Sequence, residues 1–379
     1  MPIGGPLRNE LIALSRAIHG EPELAYQEHR AVARIGALLE RHGHTVERNC
    51  GGIETAFRAR IGPTGKAVTL LAEYDALPEL GHGCGHNLIA MSTVGAFLHA
   101  AESAESSDRL EIGIEIVGTP AEESGGGKID LIEAGAFDDT VAVLSSHPGG
   151  NWWGVGQTTL GIVNLRIGFH GLAAHAAVSP EEGRNALSAV VRLFVAIDGW
   201  RQHLLSDARV HGIITNGGAA ANIVPSYAEA VIGLRAADVQ VLREMIVTFR
   251  DLVEGCALQT GTTAEIREEM RLYEPTDSDP VLTRLLLDEL DRQGKAPLRQ
   301  GNLVTASTDL GNVSQRWPTV AVGFPVSTDD VPGHSIRMTE ASVSDFAHEA
   351  ALATAEALAV AARRLATDAG LRASLRSRP

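Results

Sequence analysis

Over its first 150 residues the chain switches repeatedly between two hydrophobic periods. Residues 9–19 and 28–42 carry apolar side chains at three- and four-residue spacing, the period of a helix with one buried stripe. Residues 67–72, 110–118 and 140–146 are short apolar runs with β-branched members, closed by glycine, proline and polar turns, as buried strands are. Alternation of this kind predicts an α/β fold: a mostly parallel sheet with helices on both faces. The 379 residues, 44% of them hydrophobic, exceed the roughly 250–300 that a single core sustains, so a second domain is expected.

From about residue 158 the rhythm changes. Residues 160–169 read as a strand, 184–205 as a helix, 209–216 and 227–235 as strands, 239–258 as a helix and 262–269 as a strand. That β-α-β-β-α-β order is ferredoxin-like. It predicts an inserted α+β domain over residues 158–270 within an α/β domain built from residues 1–157 and 271–379. Alternation then resumes with a helix at 280–292 and a strand at 319–324. A long alanine-rich helix is expected from 339 to about 366, and the tail 368–379, with three arginines, is expected to fray.

Charge narrows the partners. A formal net charge of −15 leaves no concentrated basic patch for a nucleic-acid backbone or an anionic membrane, so a small-molecule substrate is the expectation. Cys50, Cys84 and Cys256 are odd in number and far apart, which suits free or metal-bound thiols in a reducing compartment. With no long apolar run at the start, the chain reads as cytoplasmic, without signal peptide or membrane span.

Groups with metal and acid-base chemistry follow the predicted strands: Glu73 and Asp75 after the first, Glu122 and Glu123 after the second, His147 after the third. Open α/β sheets bind ligands at the carboxyl ends of their strands, so these loops are expected to share one crevice. Cys84 and His86, separated by Gly85, open an apolar helix whose N-terminus favours a thiolate. His82 reads as a polar residue of the same turn. On an extended backbone Glu122 and Glu123 face opposite ways, so one can bind metal while the other serves as a general base. Thiolate, imidazoles and paired carboxylates together suit one or two borderline-soft divalent ions, and hence a metallohydrolase. His334 lies nearly 190 residues beyond His147, too far for spacing to place it, and His175 and Asn222 read by themselves as loop residues.

Taken together, the motifs resemble the aminoacylase and carboxypeptidase G family of di-metal hydrolases, peptidase family M20. The similarity is greatest to its amidohydrolase branch of aminobenzoyl-glutamate hydrolase, indole-acetyl-amino-acid hydrolases and β-alanyl-lysine type dipeptidases. It runs through Glu-Tyr-Asp-Ala-Leu-Pro (73–78), Gly-His-Gly-Cys-Gly-His-Asn (81–87), Thr-Pro-Ala-Glu-Glu (119–123), the segment 175–186, Asn-Ile-Val-Pro (222–225), the segment 307–314 and Pro-Gly-His-Ser (332–335). The resemblance implies two zinc or manganese ions on Cys84, His86, Glu123, His147 and His334, and Glu122 as catalytic base. It implies His175 as a lid residue at the scissile carbonyl, with Asn222 and Arg235 as substrate contacts. The inserted domain becomes a lid that joins two copies into a homodimer, which also removes its open sheet edge.

Two departures from the family pattern are visible. Glu73-Tyr74-Asp75 stands where the wider family has His-x-Asp, so Glu73 is not counted as a ligand. Asn87 and Thr308-Asp309-Leu310 replace the Asp and Glu-Asp-Phe of the plant-type enzymes, which favours the aminobenzoyl-glutamate and dipeptidase side. The expected reaction is hydrolysis of an N-acyl or N-aminoacyl amino acid. A carbamate or aryl C–N substrate, or a non-catalytic binding protein on the same fold, is the alternative.

Overall fold

A computed structural model describes residues 2–104, 109–298, 303–304 and 306–376. The first part runs α1 (Gly5–Gly20), α2 (His29–Arg41), β1 (Val46–Arg48), β2 (Phe57–Ile61), β3 (Ala67–Ala72), α3 (His86–Ala104), β4 (Gly113–Gly118), α4 (Gly127–Glu133), β5 (Thr140–Pro148), β6 (Gly154–Val155) and β7 (Thr158–Thr159). Next come β8 (Gly161–His170), α5 (Ala186–Arg201), β9 (Arg209–Asn216), β10 (Tyr227–Ala236), α6 (Val239–Thr260) and β11 (Thr263–Tyr273). The chain closes with α7 (Pro280–Arg292), β12 (Leu303–Val304), α8 (Leu310–Ser314), β13 (Thr319–Phe324), α9 (Ile336–Ala341), α10 (Asp345–Thr367) and α11 (Ala369–Ala373). Two compact units result: Met1–Thr158 with Thr276–Val304 and Thr308–Pro379, and Thr159–Pro275 with Thr305–Ser307.

The larger unit is built on a seven-stranded sheet in the order β1-β2-β4-β3-β5-β13-β6. Its centre, β4-β3-β5-β13, is parallel, while β1, β2 and β6 pair antiparallel at the edges. The central strands are apolar on both faces because both are covered. Val68, Leu70, Ile114, Ile116 and Leu144 join the main core with α1, α3, α7 and α10. Leu71, Val117 and Val143 face a smaller core with α4, α8 and Phe137. Helix packing is close: a Cβ on Gly95 of α3 would sit 2.9 Å from Leu11 of α1 and 3.1 Å from Ala355 of α10.

Two expectations about the C-terminal part are corrected. The single helix expected from residue 339 is two helices. Ser344 caps the second by accepting from the Ala347 amide, and a serine cap outcompetes continuation through Ser342 and Ser344. The tail does not fray through residue 376. Asp368 caps α11, Arg372 pairs with Glu111, and Arg376 pairs with Asp277; residues 377–379 lie outside the described range.

The smaller unit is an antiparallel sheet in the order β11-β8-β10-β9, packed on α5 and α6. Asn185 and Asp238 cap the two helices with their side chains. β9 is an edge strand and is exposed at every position but Val210. Ile213 and Ile214 on it, and Val191 and Val195 on α5, leave apolar side chains in the open.

Candidate metal centre

Three neighbouring strand ends define the site. β4, β3 and β5 lie side by side and parallel, so the residues that leave their carboxyl ends emerge together: Glu122 and Glu123 from β4, Glu73 and Asp75 from β3, and His147 at the end of β5. Cys84 and His86 reach the same place because Gly85 turns the chain with φ 77°. A Cβ there would press to 2.8 Å on Pro148, the residue after His147. His334, beyond the reach of sequence spacing, is brought in by its own backbone. It adopts φ 54°, and its amide donates to the Gly83 carbonyl at 2.9 Å.

The donor atoms form two groups that share one sulfur. Cys84, His86 and His147 present ligand atoms within 4.8 Å of one another, and so do Cys84, Glu123 and His334. Cys84 Sγ is 3.5 Å from His147 Nε2, and His334 Nε2 is 3.5 Å from a Glu123 oxygen. A third group, Glu73, His86 and Glu122, is fully buried. His86 Nε2 lies 3.6 Å from Glu73, 3.9 Å from Glu122 and 3.8 Å from Glu123. Glu122 and Glu123 therefore face the same ring, contrary to the opposite-facing expectation. The backbone entering the pair is not extended: Ala121 is left-handed, with φ 59°.

The donor set fits divalent ions. His86 Nδ1 is held by Asp75 Oδ1 at 2.8 Å and His147 Nδ1 by the Pro148 carbonyl at 2.8 Å. With Nδ1 protonated in both rings, each turns an Nε2 lone pair inward, the second-shell arrangement typical of metal-binding imidazoles. His86 Nε2, Glu123 Oε1 and Glu73 Oε2 are buried without a hydrogen-bond partner, and inward-facing acceptors left unpaired are what a cation satisfies. Burial opposes a charge on His86, yet Asp75 and Cys84 outweigh it and hold its pKa well above the ordinary value, so the pocket favours a cation there. The Cys84 thiol is pushed up to about 12 by burial, which overrides the helix N-terminus expected to favour a thiolate. Its ionisation at neutral pH therefore needs a cation on the sulfur. Glu122 is held well above the ordinary carboxylate range by burial and then by the charges of Glu73 and Asp309.

Sequence reasoning missed a buried cation behind these groups. Lys128, fully buried on α4, places Nζ 2.8 Å from Glu73 and 2.6 Å from Asp309, and its amide donates to Asp309 Oδ2 at 3.0 Å. One Glu73 oxygen is thereby clamped while the other faces His86. The available signal was a lysine three residues before Leu131 on the apolar side of a short helix, together with an acid at position 73 where the wider family has histidine. His82, read as a turn residue, is buried against His19, and burial lowers its pKa to about 3.

His175, Asn222 and Arg235 belong to the smaller unit. His175 pairs with Ile223, and the Ala176 amide donates to the Asn222 carbonyl at 3.0 Å, so His175 and Asn222 are neighbours on an exposed loop beyond the start of β10. Arg235 is near the other end of that strand, about 26 Å from Tyr227 at roughly 3.3 Å per residue. It donates to Ser307, two residues before Asp309 in the chain, at 3.2 Å.

Similarity to known proteins runs along most of the chain. Residues 69–359 match the model of peptidase family M20/M25/M40. The chain is 38% identical over 370 residues to a Mus musculus protein named Xaa-Arg dipeptidase, covering 92% of this chain and 84% of that protein. It is 29% identical to a p-aminobenzoyl-glutamate hydrolase component of Escherichia coli strain K12, covering 96% and 90%. Among solved structures, a dinuclear metal binding peptidase of the M20 family from Bacillus subtilis superimposes with a TM-score of 0.70 at 20% identity, covering 92% of this chain and 98% of that one. The chain belongs to peptidase family M20/M25/M40 and is a hydrolase of C–N bonds.

Proposed function

We propose that this hydrolase cleaves the amide bond of an N-aminoacyl or other N-acyl amino acid. It uses two divalent ions, zinc or manganese, held by Cys84, His86, Glu123, His147 and His334. The observation that carries the reading is the overlap of two ligand groups on the Cys84 sulfur, with Glu122 beside them, 3.9 Å from His86 Nε2. Names of relatives support a dipeptide substrate, since the mouse protein at 38% identity is called a dipeptidase.

Bound ions supply a lowered water pKa and a polarised carbonyl. Glu122 accepts the proton of the attacking water and returns it to the leaving amine. Its raised proton affinity, set by burial beside Glu73 and Asp309, suits a group that must hold a proton between those two transfers. His175 donates to the carbonyl oxygen as negative charge develops there. Asn222 and Arg235 bind the carboxylate of the released amino acid.

The working form is a homodimer joined through the smaller unit. About 26 Å of strand separates Arg235 from the end where His175 and Asn222 stand, so one copy of the unit does not bring all three to one small substrate. A second copy does, with His175 and Asn222 offered to the partner's centre. Exposed Ile213, Ile214, Val191 and Val195 supply an apolar surface for that contact. The free thiols Cys50, Cys84 and Cys256 support a cytoplasmic address. The reading is tested by turnover of a panel of dipeptides and N-acyl amino acids by the metal-loaded protein. Faster turnover of carbamates or aryl amines, or none of any substrate, overturns it.

A further inference from the structure

The acidic pair is reached through one residue that is left-handed without being glycine. Ala121 has φ 59° and is fully buried. A residue with a Cβ adopts that conformation at a cost of about 1–2 kcal/mol, so its surroundings must impose it. Three restraints do so. The Ala121 amide donates to Glu28 Oε1 at 2.9 Å. The Glu123 amide donates to Asp75 Oδ2 at 3.0 Å. The amides of Gly125 and Gly126 donate to the Ala121 carbonyl at 3.0 and 2.8 Å. Both amides that bracket Glu122 are thus fixed by buried carboxylates from other elements.

Asp75 also orients His86, while the Glu28 carboxyl accepts from the Ala121 amide. It comes from the turn before α2, 93 residues away, and is fully buried. One oxygen accepts from the Ala121 amide, and the other is buried without a hydrogen-bond partner. Burial pushes its carboxyl up to about 7, so the fold keeps this acid at a cost that an apolar residue would avoid. The Ala121 amide is one of the groups that offset it.

We propose that Glu28 is a positioning residue for the hydrolytic reaction: its carboxyl group holds Ala121 left-handed, and that conformation presents Glu122 to the reacting centre. The inference rests on Glu122 being the base. Without the Glu28 oxygen, Ala121 relaxes toward a right-handed conformation and swings the carboxylate out of line, and misalignment of this kind costs turnover more than binding.

The test is a rescue experiment on the full-length, metal-loaded protein. Glu28→Ala is expected to lower kcat by about 10- to 100-fold with KM within about threefold. Adding Ala121→Gly, which adopts φ near +60° without strain, is expected to recover most of that loss, as is Glu28→Gln, which keeps an acceptor oxygen. Metal content and melting curves are recorded for each variant. Wild-type kcat in Glu28→Ala overturns the inference, and so does a loss that Ala121→Gly leaves in place in a protein unfolding with wild-type cooperativity. If Glu28→Ala does not fold, Glu28→Asp, which withdraws the oxygen by one methylene, carries the same comparison and criterion. Glu122→Gln is measured in parallel. Full activity in that variant overturns the base assignment, whereas its inactivity beside a fully active Glu28→Ala overturns the positioning role alone.

Discussion

Cys84 contributes its sulfur to both ligand groups, so no other single side chain removes a donor from each. Cys84→Ala is expected to leave less than one ion per chain by elemental analysis, while Cys256→Ala, in the core of the smaller unit, keeps the full complement. The two adjacent glutamates separate by the same measurement. Glu122→Gln is expected to retain metal and lose roughly 100-fold or more in kcat, because an amide does not take the proton of water. Glu123→Gln is expected to lose metal, and equal loss in both variants would contradict the division of roles. Glu28 adds a pH signature. Its folded pKa of about 7 stands above the ordinary 4.5, so between those values the native state holds a proton that the unfolded state has released. Stability therefore falls as pH rises through that window, by about 3 kcal/mol for the full shift at 1.36 kcal/mol per unit. Urea midpoints from pH 4.5 to 8 should show a shallower decline in Glu28→Gln.

Among the elements, α4 and α8 are joined by charge across the smaller core of the sheet. Lys128 on α4 is compensated by Glu73 and by Asp309, the residue before α8, with all three buried. Lys128→Met keeps the volume but leaves two carboxylates facing each other in a buried space, and is expected to cost about 3–5 kcal/mol. Adding Glu73→Gln and Asp309→Asn should recover most of it, as denaturant midpoints will register. A triple variant no more stable than Lys128→Met would mean that the lysine acts through packing rather than charge. The helix also depends on its entry, since a Cβ on Gly127 would collide with the Pro120 carbonyl. Element types were largely legible because long periodic stretches declare themselves, as with α7 and β13, which occupy the residues expected of them. Short pieces such as β1, β2 and α4 were not, because three to seven residues give too few repeats of either period.

At the scale of the whole molecule, none of the described helices is long and apolar enough to cross a membrane. Light scattering at micromolar concentration is expected to give twice the 40.0 kDa chain mass. Replacing Ile213 and Val195 together by glutamate places charges on the exposed strand and helix of the smaller unit, and should yield a monomer. If His175 and Asn222 serve the partner's centre as proposed, kcat falls with the dimer while bound metal stays constant. A fully active monomer would refute the assembly.

By itself the sequence determined the α/β class, the ferredoxin-like order of the smaller unit and the chemistry on offer, because periodicity and residue type are local properties. Cys84, His86 and the 122–123 pair could be singled out since each is compact in sequence and follows an apolar run. Only the tertiary structure decided which groups meet. His334 joins the site through a left-handed backbone and one hydrogen bond to Gly83. Glu122 and Glu123 converge on His86 because Ala121 turns, and Glu73 faces that ring because a lysine 55 positions away holds its other oxygen. Such pairings depend on strand order and burial, which bring distant residues within 4 Å and set the charge each one carries; neither is written in the spacing of residues along the chain.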